Sequence, residues 1–294
     1  MGRRVTERTP SRPPRSAGRP PGHGPGIRTP ADPTYLRDLF TRSARFYDRV
    51  NLLTSLGWVT RWRDQTVASA AIEPGDRVLD AFSGPGGLAE QALPRMGPGG
   101  ELLLVDISPV MLREAHSRLD RQLRGRRGPS PNVRFIVGDL LRDDLALGTF
   151  DVVLFGWGLR YVPDVRRALG GLAALLRPGG RLALLEFTRP GASGWALPLH
   201  LYFRYAVPAI GGRLAGDPEL HEYLRETSAT FLDTPALTAA VESSGLRIVG
   251  RRSRLGGLVT TLVAVRPRQE LSGAAATNRA QPAAVGSSNN KGSG

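Results

Sequence analysis

Apolar residues along this chain switch between two spacings, and the switching predicts an architecture. Leu36, Leu39, Phe40, Phe46, Tyr47 and Val50 recur at helical spacing, so YLRDLFTRSARFYDRVNLL reads as an amphipathic helix. A second helix is expected near 60–72. Short continuous apolar runs then read as buried strands: DRVLDAF (76–82), ELLLVDI (101–107), NVRFIVGD (132–139), FDVVLFG (150–156) and RLALLEF (181–187). Helices are expected between them at 88–95, after Ser108 as N-cap with Pro109 in the first turn, and over about 164–176. Pro74-Gly75 and RPGG (177–180) read as tight turns. Residues 194–231 break the alternation with two helical stretches; a helix near 235–244 and two strands, LRIVGRRSR and LVTTLVAVR, follow.

Strands alternating with helices predict an α/β fold: a doubly wound, mostly parallel seven-stranded sheet with a helical lid insertion at about 194–231. Three segments are expected: a disordered Pro/Arg/Gly-rich arm (1–31), a folded domain (32–267) and a loose Ala/Ser/Asn/Gly-rich tail (268–294).

Charge and composition narrow the function classes. The formal charge is +14, of which residues 1–30 carry +6 and residues 268–294 carry +2, so the folded part is only mildly basic. Nearly every cation is Arg, Lys291 being the one lysine. No aromatic-plus-basic pattern points to nucleic acid, although a basic surface suits an anionic membrane. The absence of cysteine excludes disulfides and thiolate chemistry, and four scattered histidines give no metal-ligand spacing. An Arg-rich start without an apolar stretch does not read as a secretory leader, and no run is long enough to span a bilayer. The expectation is a cytoplasmic protein, compatible with a peripheral station at the inner face of the membrane.

Ligands of open α/β sheets bind beyond the carboxyl ends of the strands. Asp80, Asp106 and Asp139 stand at three such ends, with the turn Ser83-Gly84-Pro85-Gly86-Gly87 after the first. GPGGLA with Asp106 twenty residues beyond Gly86 fits a dinucleotide fingerprint. Asp80 argues the other way: a carboxylate sits poorly beside a pyrophosphate and well beside the ammonium and sulfonium of S-adenosylmethionine. Asp106 would then accept from the ribose hydroxyls and Asp139 from the adenine amino group, with Ser83, Gly84, Pro85, Gly86, Ile107, Leu140 and Gly156 completing the site. Simpler roles stay open: turn capping for Asp80, helix capping for Asp106, a solvated loop acid for Asp139.

These residues resemble the ubiquinone/menaquinone C-methyltransferase (UbiE) family over nearly all of 40–267. FYDRVNLLTSLGWVTRW (46–62) is similar to the family's Y-D-x-M-N-x-x-x-S-x-G-x-H-x-x-W signature through Tyr47, Asp48, Asn51, Ser55, Gly57 and Trp62, with Val50 and Val59 replacing Met and His. LLRPGGRLALLEFTRP (175–190) is similar to V-L-K-P-G-G-x-L-x-x-L-E-F-S-x-P, and FGWGLRYVPD (155–164) to S-F-G-L-R-N-V-x-D. YFRYAVPAIG and EYLRETSATF resemble segments covering the family's quinone pocket. Departures sit in the cofactor loop, where G-G-T-G-D becomes Ser83-Gly84-Pro85-Gly86-Gly87, and at Gly156 and Tyr161, which stand for Ser and Asn.

The resemblance implies methylation of a ring carbon of demethylmenaquinol by S-adenosylmethionine. Arg160 is then the candidate that stabilises the developing phenolate, an ion pair with Asp164 being its structural alternative. Tyr47 and Asp48 are expected to close over the methyl donor. Trp157, Tyr161, His200 and Tyr205 are expected at the acceptor pocket, and 194–231 over an isoprenoid tail. The acceptor implied is an isoprenoid quinol, and a homodimer is compatible with the sequence. Another phenolic acceptor, a non-catalytic module of this fold and an NAD-dependent dehydrogenase remain the alternatives.

Overall fold

The computed structural model describes residues 33–190, 201–207, 227 and 230–268. Seven strands form one sheet: β1 (Arg77–Ala81), β2 (Glu101–Asp106), β3 (Asn132–Val137), β4 (Phe150–Gly156), β5 (Leu176–Phe187), β6 (Arg247–Arg254) and β7 (Val259–Val265). Their order is β3-β2-β1-β4-β5-β7-β6, with β7 antiparallel to both neighbours and the other pairings parallel. The winding reverses between β1 and β4, which puts the ligand crevice at their carboxyl ends.

Six helices are described: α1 (Pro33–Thr54), α2 (Trp58–Ser69), α3 (Gly87–Ala92), α4 (Pro109–Arg124), α5 (Val165–Ala174) and α6 (Thr234–Ser243). The period of two in the central strands assigns their two faces. Leu102 and Leu104 pack under α2, α3 and α4 with Trp62, Leu93, Leu112 and Leu119. Leu103 and Val105 pack under α5 and α6 with Leu169, Leu172, Leu237 and Val241. Burial on both faces is why the sequence shows unbroken apolar runs rather than alternation. Truncating a fully buried leucine here, such as Leu104, costs about 2–5 kcal/mol.

Three helices are capped by the side chains before them. Ser108 Oγ accepts from the Met111 N–H, Asp164 Oδ1 from Arg167 and Asp233 Oδ1 from Ala236. Asp164 is thus the N-cap of α5 and not the ion-pair partner suggested for Arg160.

Two expected elements differ. The helix of 88–95 ends as α at Ala92 and tightens into a 3₁₀ turn, Leu93–Arg95, because Pro94 has no N–H to donate. RPGG is not a free turn before β5 but a bulge inside it. Leu176 already pairs with Phe150, and pairing resumes only at Val152 with Arg181. The extra residues fold out through Gly179 at φ +86°, whose N–H donates to Arg266 O.

Little of the expected lid lies within the described residues. Leu201–Val207 includes a π-helical turn, Tyr202–Ala206, and the Tyr202 hydroxyl donates to Thr54 O at the end of α1. The N-terminal arm through residue 32, His200 and the chain beyond 268 lie outside the described residues.

Candidate active site

Two aromatic residues mark the switch point with backbone that side chains rarely adopt. Phe82, just after β1, has φ +56°, and Trp157, just after β4, has φ +64°. A bulky residue in this region is strained, and such strain gathers at functional sites. Both line a pocket of about 330 Å³ beyond the strand ends. Its roof is α1, through Leu36, Phe40 and Tyr47. Its floor and walls come from Gly84 after β1, Asp106 and Ile107 after β2, Gly138 to Arg142 after β3, and Gly156 to Tyr161 after β4, Arg160 and Leu159 excepted.

Asp106 organises the cofactor-facing side. Its Oδ2 accepts from the Gly84 N–H at 2.8 Å and its Oδ1 from Ser108 at 2.8 Å, so one carboxylate ties the loops after β1 and β2. Burial pushes its pKa up to about 6, against the pull of those two N–H donors. Asp139 lies at the same rim, folded into a turn in which its N–H donates to Asp143 and its Oδ1 accepts from Leu141. Ile107, Leu140 and Met111 supply apolar surface beside these acceptors. Carboxylate acceptors with flanking apolar walls match a ribose diol and a flat base.

Asp80 does something different from what its position in the sequence suggests. It is 1% exposed and does not line the pocket. Its Oδ2 accepts from the Ala89 N–H at 3.0 Å, in the first turn of α3. Burial pushes its pKa up to about 8, opposed by that N–H and by Arg63, so at neutral pH it is mostly protonated. The direct greeting of a cationic ligand expected of Asp80 is therefore not what this geometry offers. The turn-capping role is.

The glycine turn is closed by Gly86 N–H donating to Ser83 O. Gly86 has φ +77°, and a Cβ there would meet Ala115 Cβ at 2.9 Å. At Gly87 a Cβ would fall 2.5 Å from Arg63 Cζ, so the guanidinium fills the space an acidic side chain would need. Ser83, Pro85 and Gly86 shape the turn from behind and are not pocket-lining.

Asp48 also faces away. It binds Arg63 at 3.3 Å and Arg118, joining α1 to α2 and α4. It holds the roof and does not touch the pocket. Tyr205, expected at the acceptor site, is 62% exposed on the π-helical turn and lines no part of the pocket.

The far wall is aromatic. Phe40 meets Tyr161 and Tyr47 edge-on, at 5.1 and 6.3 Å between centroids. Trp157 stacks on Phe187 at 4.1 Å. Arg160 lies behind this wall, its side chain 7% exposed, with its guanidinium 4.9 Å from the Tyr161 ring and 5.1 Å from that of Phe187. Burial lowers its pKa, but Tyr161, Glu186 and Tyr47 outweigh that and raise it, so it stays a cation. Burial raises the pKa of both Tyr47 and Tyr161 against the pull of Arg160. Its acidic neighbour is Glu186, 4.0 Å away, which is not among the candidates the sequence offers. The available signal was a lone acid within the apolar run RLALLEF.

The model of the ubiE/COQ5 methyltransferase family matches residues 28–266. The chain is 32% identical over 223 residues to the ubiquinone/menaquinone biosynthesis C-methyltransferase UbiE of Idiomarina loihiensis, covering 76% of this chain and 86% of that one. It is 35% identical over 210 residues to the demethylmenaquinone methyltransferase of Thermus thermophilus, covering 71% and 92%. Among solved structures, the magnesium protoporphyrin IX methyltransferase of Synechocystis with bound SAH superposes with a TM-score of 0.56 at 21% identity, over 80% of this chain and 100% of that one. At that identity the likeness is one of fold.

Proposed function

Because the chain belongs to the ubiE/COQ5 methyltransferase family, which uses S-adenosylmethionine, we propose that it methylates a ring carbon of a demethylmenaquinol. Family membership sets aside the dinucleotide reading of GPGGLA. The acceptor assignment is supported by the relative named a demethylmenaquinone methyltransferase and by one feature of the site: a buried arginine behind an aromatic, largely apolar pocket wall.

S-adenosylmethionine, when bound, supplies an electrophilic methyl group on sulfur. Asp106 and Gly84 would hold its ribose end, and Ile107 and Leu140 its base. Trp157, Tyr161 and Phe40 would hold the acceptor ring flat and dry. A ring carbon attacks only when an adjacent hydroxyl gives up its proton, and the resulting phenolate needs a counter-charge. Arg160 cannot take that proton, since guanidinium remains protonated. It would supply the counter-charge instead, through a medium where screening by water is weak, and orient a water that takes the proton, while the ring carbon would displace S-adenosylhomocysteine as the leaving group. Holding the two reactants in line contributes about 7–11 kcal/mol of barrier reduction.

Methyl transfer from labelled S-adenosylmethionine to demethylmenaquinol tests the reading. Product bearing one new ring methyl is expected; transfer only to other acceptors overturns the substrate class. Arg160→Ala should lower turnover by roughly 10²–10³ with the affinity for S-adenosylhomocysteine unchanged. Another phenolic acceptor is the second reading, favoured by Tyr161, which narrows the pocket where a smaller Asn would stand.

A further inference from the structure

Glu186 is a charge placed where the sheet should hold none. It follows fully buried Leu184 and Leu185 on β5, is 0% exposed, and is followed by half-buried Phe187. A carboxylate in such a place persists only where donors surround it. Here its Oε2 accepts from the Leu159 N–H at 2.9 Å, and its Oε1 accepts from the Phe187 N–H at 2.9 Å while lying 4.0 Å from Arg160 Nη1. One side chain thus bonds the backbone of the 3₁₀ turn Leu159–Tyr161 and sets a negative charge 4.0 Å from the guanidinium that the turn carries. Tyr161, two residues on, is pocket wall.

We propose that Glu186 is the positioning residue for Arg160: it fixes the turn after β4 and holds the guanidinium under the aromatic wall, where the acceptor's negative charge develops. The proposal rests on the phenolate-stabilising role of Arg160 given above.

The groups facing Glu186 decide how pH acts on it. They are Tyr47 from α1, Arg160 and Tyr161 from the turn after β4, and the backbone donors of Gly158, Leu159 and Phe187; Arg63 from α2 lies beyond Tyr47. Burial pushes the tyrosines upward and lowers Arg63, while Tyr161, Glu186 and Tyr47 keep Arg160 a cation. Burial pushes Glu186 up to about 7, against Arg160 and the backbone donors, so it is the member of the cluster that changes charge near neutrality. Ionised, it attracts the guanidinium across 4.0 Å; protonated, it loses that attraction. Transfer should therefore gain rate as pH rises through about 7.

The test measures single-turnover methyl transfer across pH 5.5–9 (roughly, bracketing the titration) with the full chain, alongside calorimetry with S-adenosylhomocysteine. Glu186→Gln is expected to bind the homocysteine product within about twofold of wild type, to lose at least about tenfold in kcat with little change in acceptor KM, and to lose the rate step near neutrality. Glu186→Asp should restore part of the rate and the step. A Glu186→Gln rate and pH profile like wild type overturns the proposal. So does a wild-type profile without the step, which needs no variant at all. Because Glu186→Gln could fail to fold, carbon-13 NMR of the glutamate carboxyls gives a readout without turnover. Arg160→Ala should move the Glu186 titration to higher pH, and an unmoved titration overturns the pairing. If the natural acceptor is another phenol, that phenol serves in the same rate measurements, so failure of the quinol reading and failure of this one remain distinct.

Discussion

The carboxylate of Asp106 accepts the backbone N–H of Gly84 at 2.8 Å, which joins the end of β2 to the glycine turn after β1. The bond does two things at once. It sets the height of the turn over the sheet, and it leaves the carboxylate facing the pocket.

Asp106→Ala removes the turn's anchor and a ligand acceptor together. Hydrogen bonds to charged groups are worth about 1.5–3 kcal/mol, so affinity for S-adenosylhomocysteine should fall roughly 10–100-fold by calorimetry. Asp106→Asn, which can still accept from Gly84, should fall less. Since Asp106 titrates at about 6, wild-type affinity should weaken as pH drops through that value, because the protonated form loses an acceptor.

Gly86→Ala and Gly84→Ala separate strain from collision. Both glycines have positive φ, +77° and +52°, but only at Gly86 does an added Cβ meet a neighbour, Ala115 Cβ at 2.9 Å. Left-handed backbone alone costs roughly 1–2 kcal/mol. Urea denaturation should show about that loss for Gly84→Ala and a clearly larger one for Gly86→Ala. Equal losses would mean the turn relaxes around the new methyl.

Asp80 makes stability depend on pH. Its carboxyl titrates at about 8 in the folded chain against an ordinary value of 3.8. Its contribution is fully present below about 3.8, declines between the two values and is gone above about 8, because the unfolded chain releases the proton first. Asp80→Asn keeps an acceptor for the Ala89 N–H and has nothing to titrate. The slope of melting temperature against pH between about 6 and 9 should be flatter in this variant than in wild type. Parallel slopes would show that Asp80 ionises freely.

We infer that the corner between α1 and α2 is the surface that would meet an anionic lipid membrane. Leu56, 78% exposed with φ +51°, projects there beside exposed Leu52, Leu53 and Trp58. The Gly57 N–H donates to Leu52 O and holds the corner, while exposed Arg49 and Arg61 flank it, Arg61 over the Trp58 ring at 5.5 Å. Inserting an apolar side chain is worth about 1.5–3 kcal/mol. Leu56→Asp with Trp58→Ser should therefore weaken co-sedimentation with phosphatidylglycerol vesicles at least about tenfold, and leave S-adenosylhomocysteine binding intact. Undiminished sedimentation would assign vesicle contact to another surface.

Most of the fold was legible because strands buried on both faces must be apolar throughout, and helices must show their stripe. All seven strands and the six described helices lie close to where the pattern placed them. The pocket rim was legible for the same reason: Asp106, Asp139, Gly84 and Trp157 sit at strand ends, and strand ends are where open sheets bind ligands. The RPGG bulge was not legible, since a bulge and a turn use the same residues and differ only in what pairs across from them.

Local sequence determined the elements, their order and the residue types at the crevice. What each acid does was decided by tertiary burial and by which donors arrive from elsewhere in the chain. Asp106 is the last residue of β2, whereas Asp80 stops one residue short of the end of β1 and pairs with Leu104, so one faces the pocket and the other is sealed behind the turn against Ala89. Asp48 turned out to be bound by arginines 15 and 70 residues away, and Glu186 by a turn 27 residues before it. Dielectric and donor geometry are properties of the packed surroundings, and no spacing along the chain encodes them.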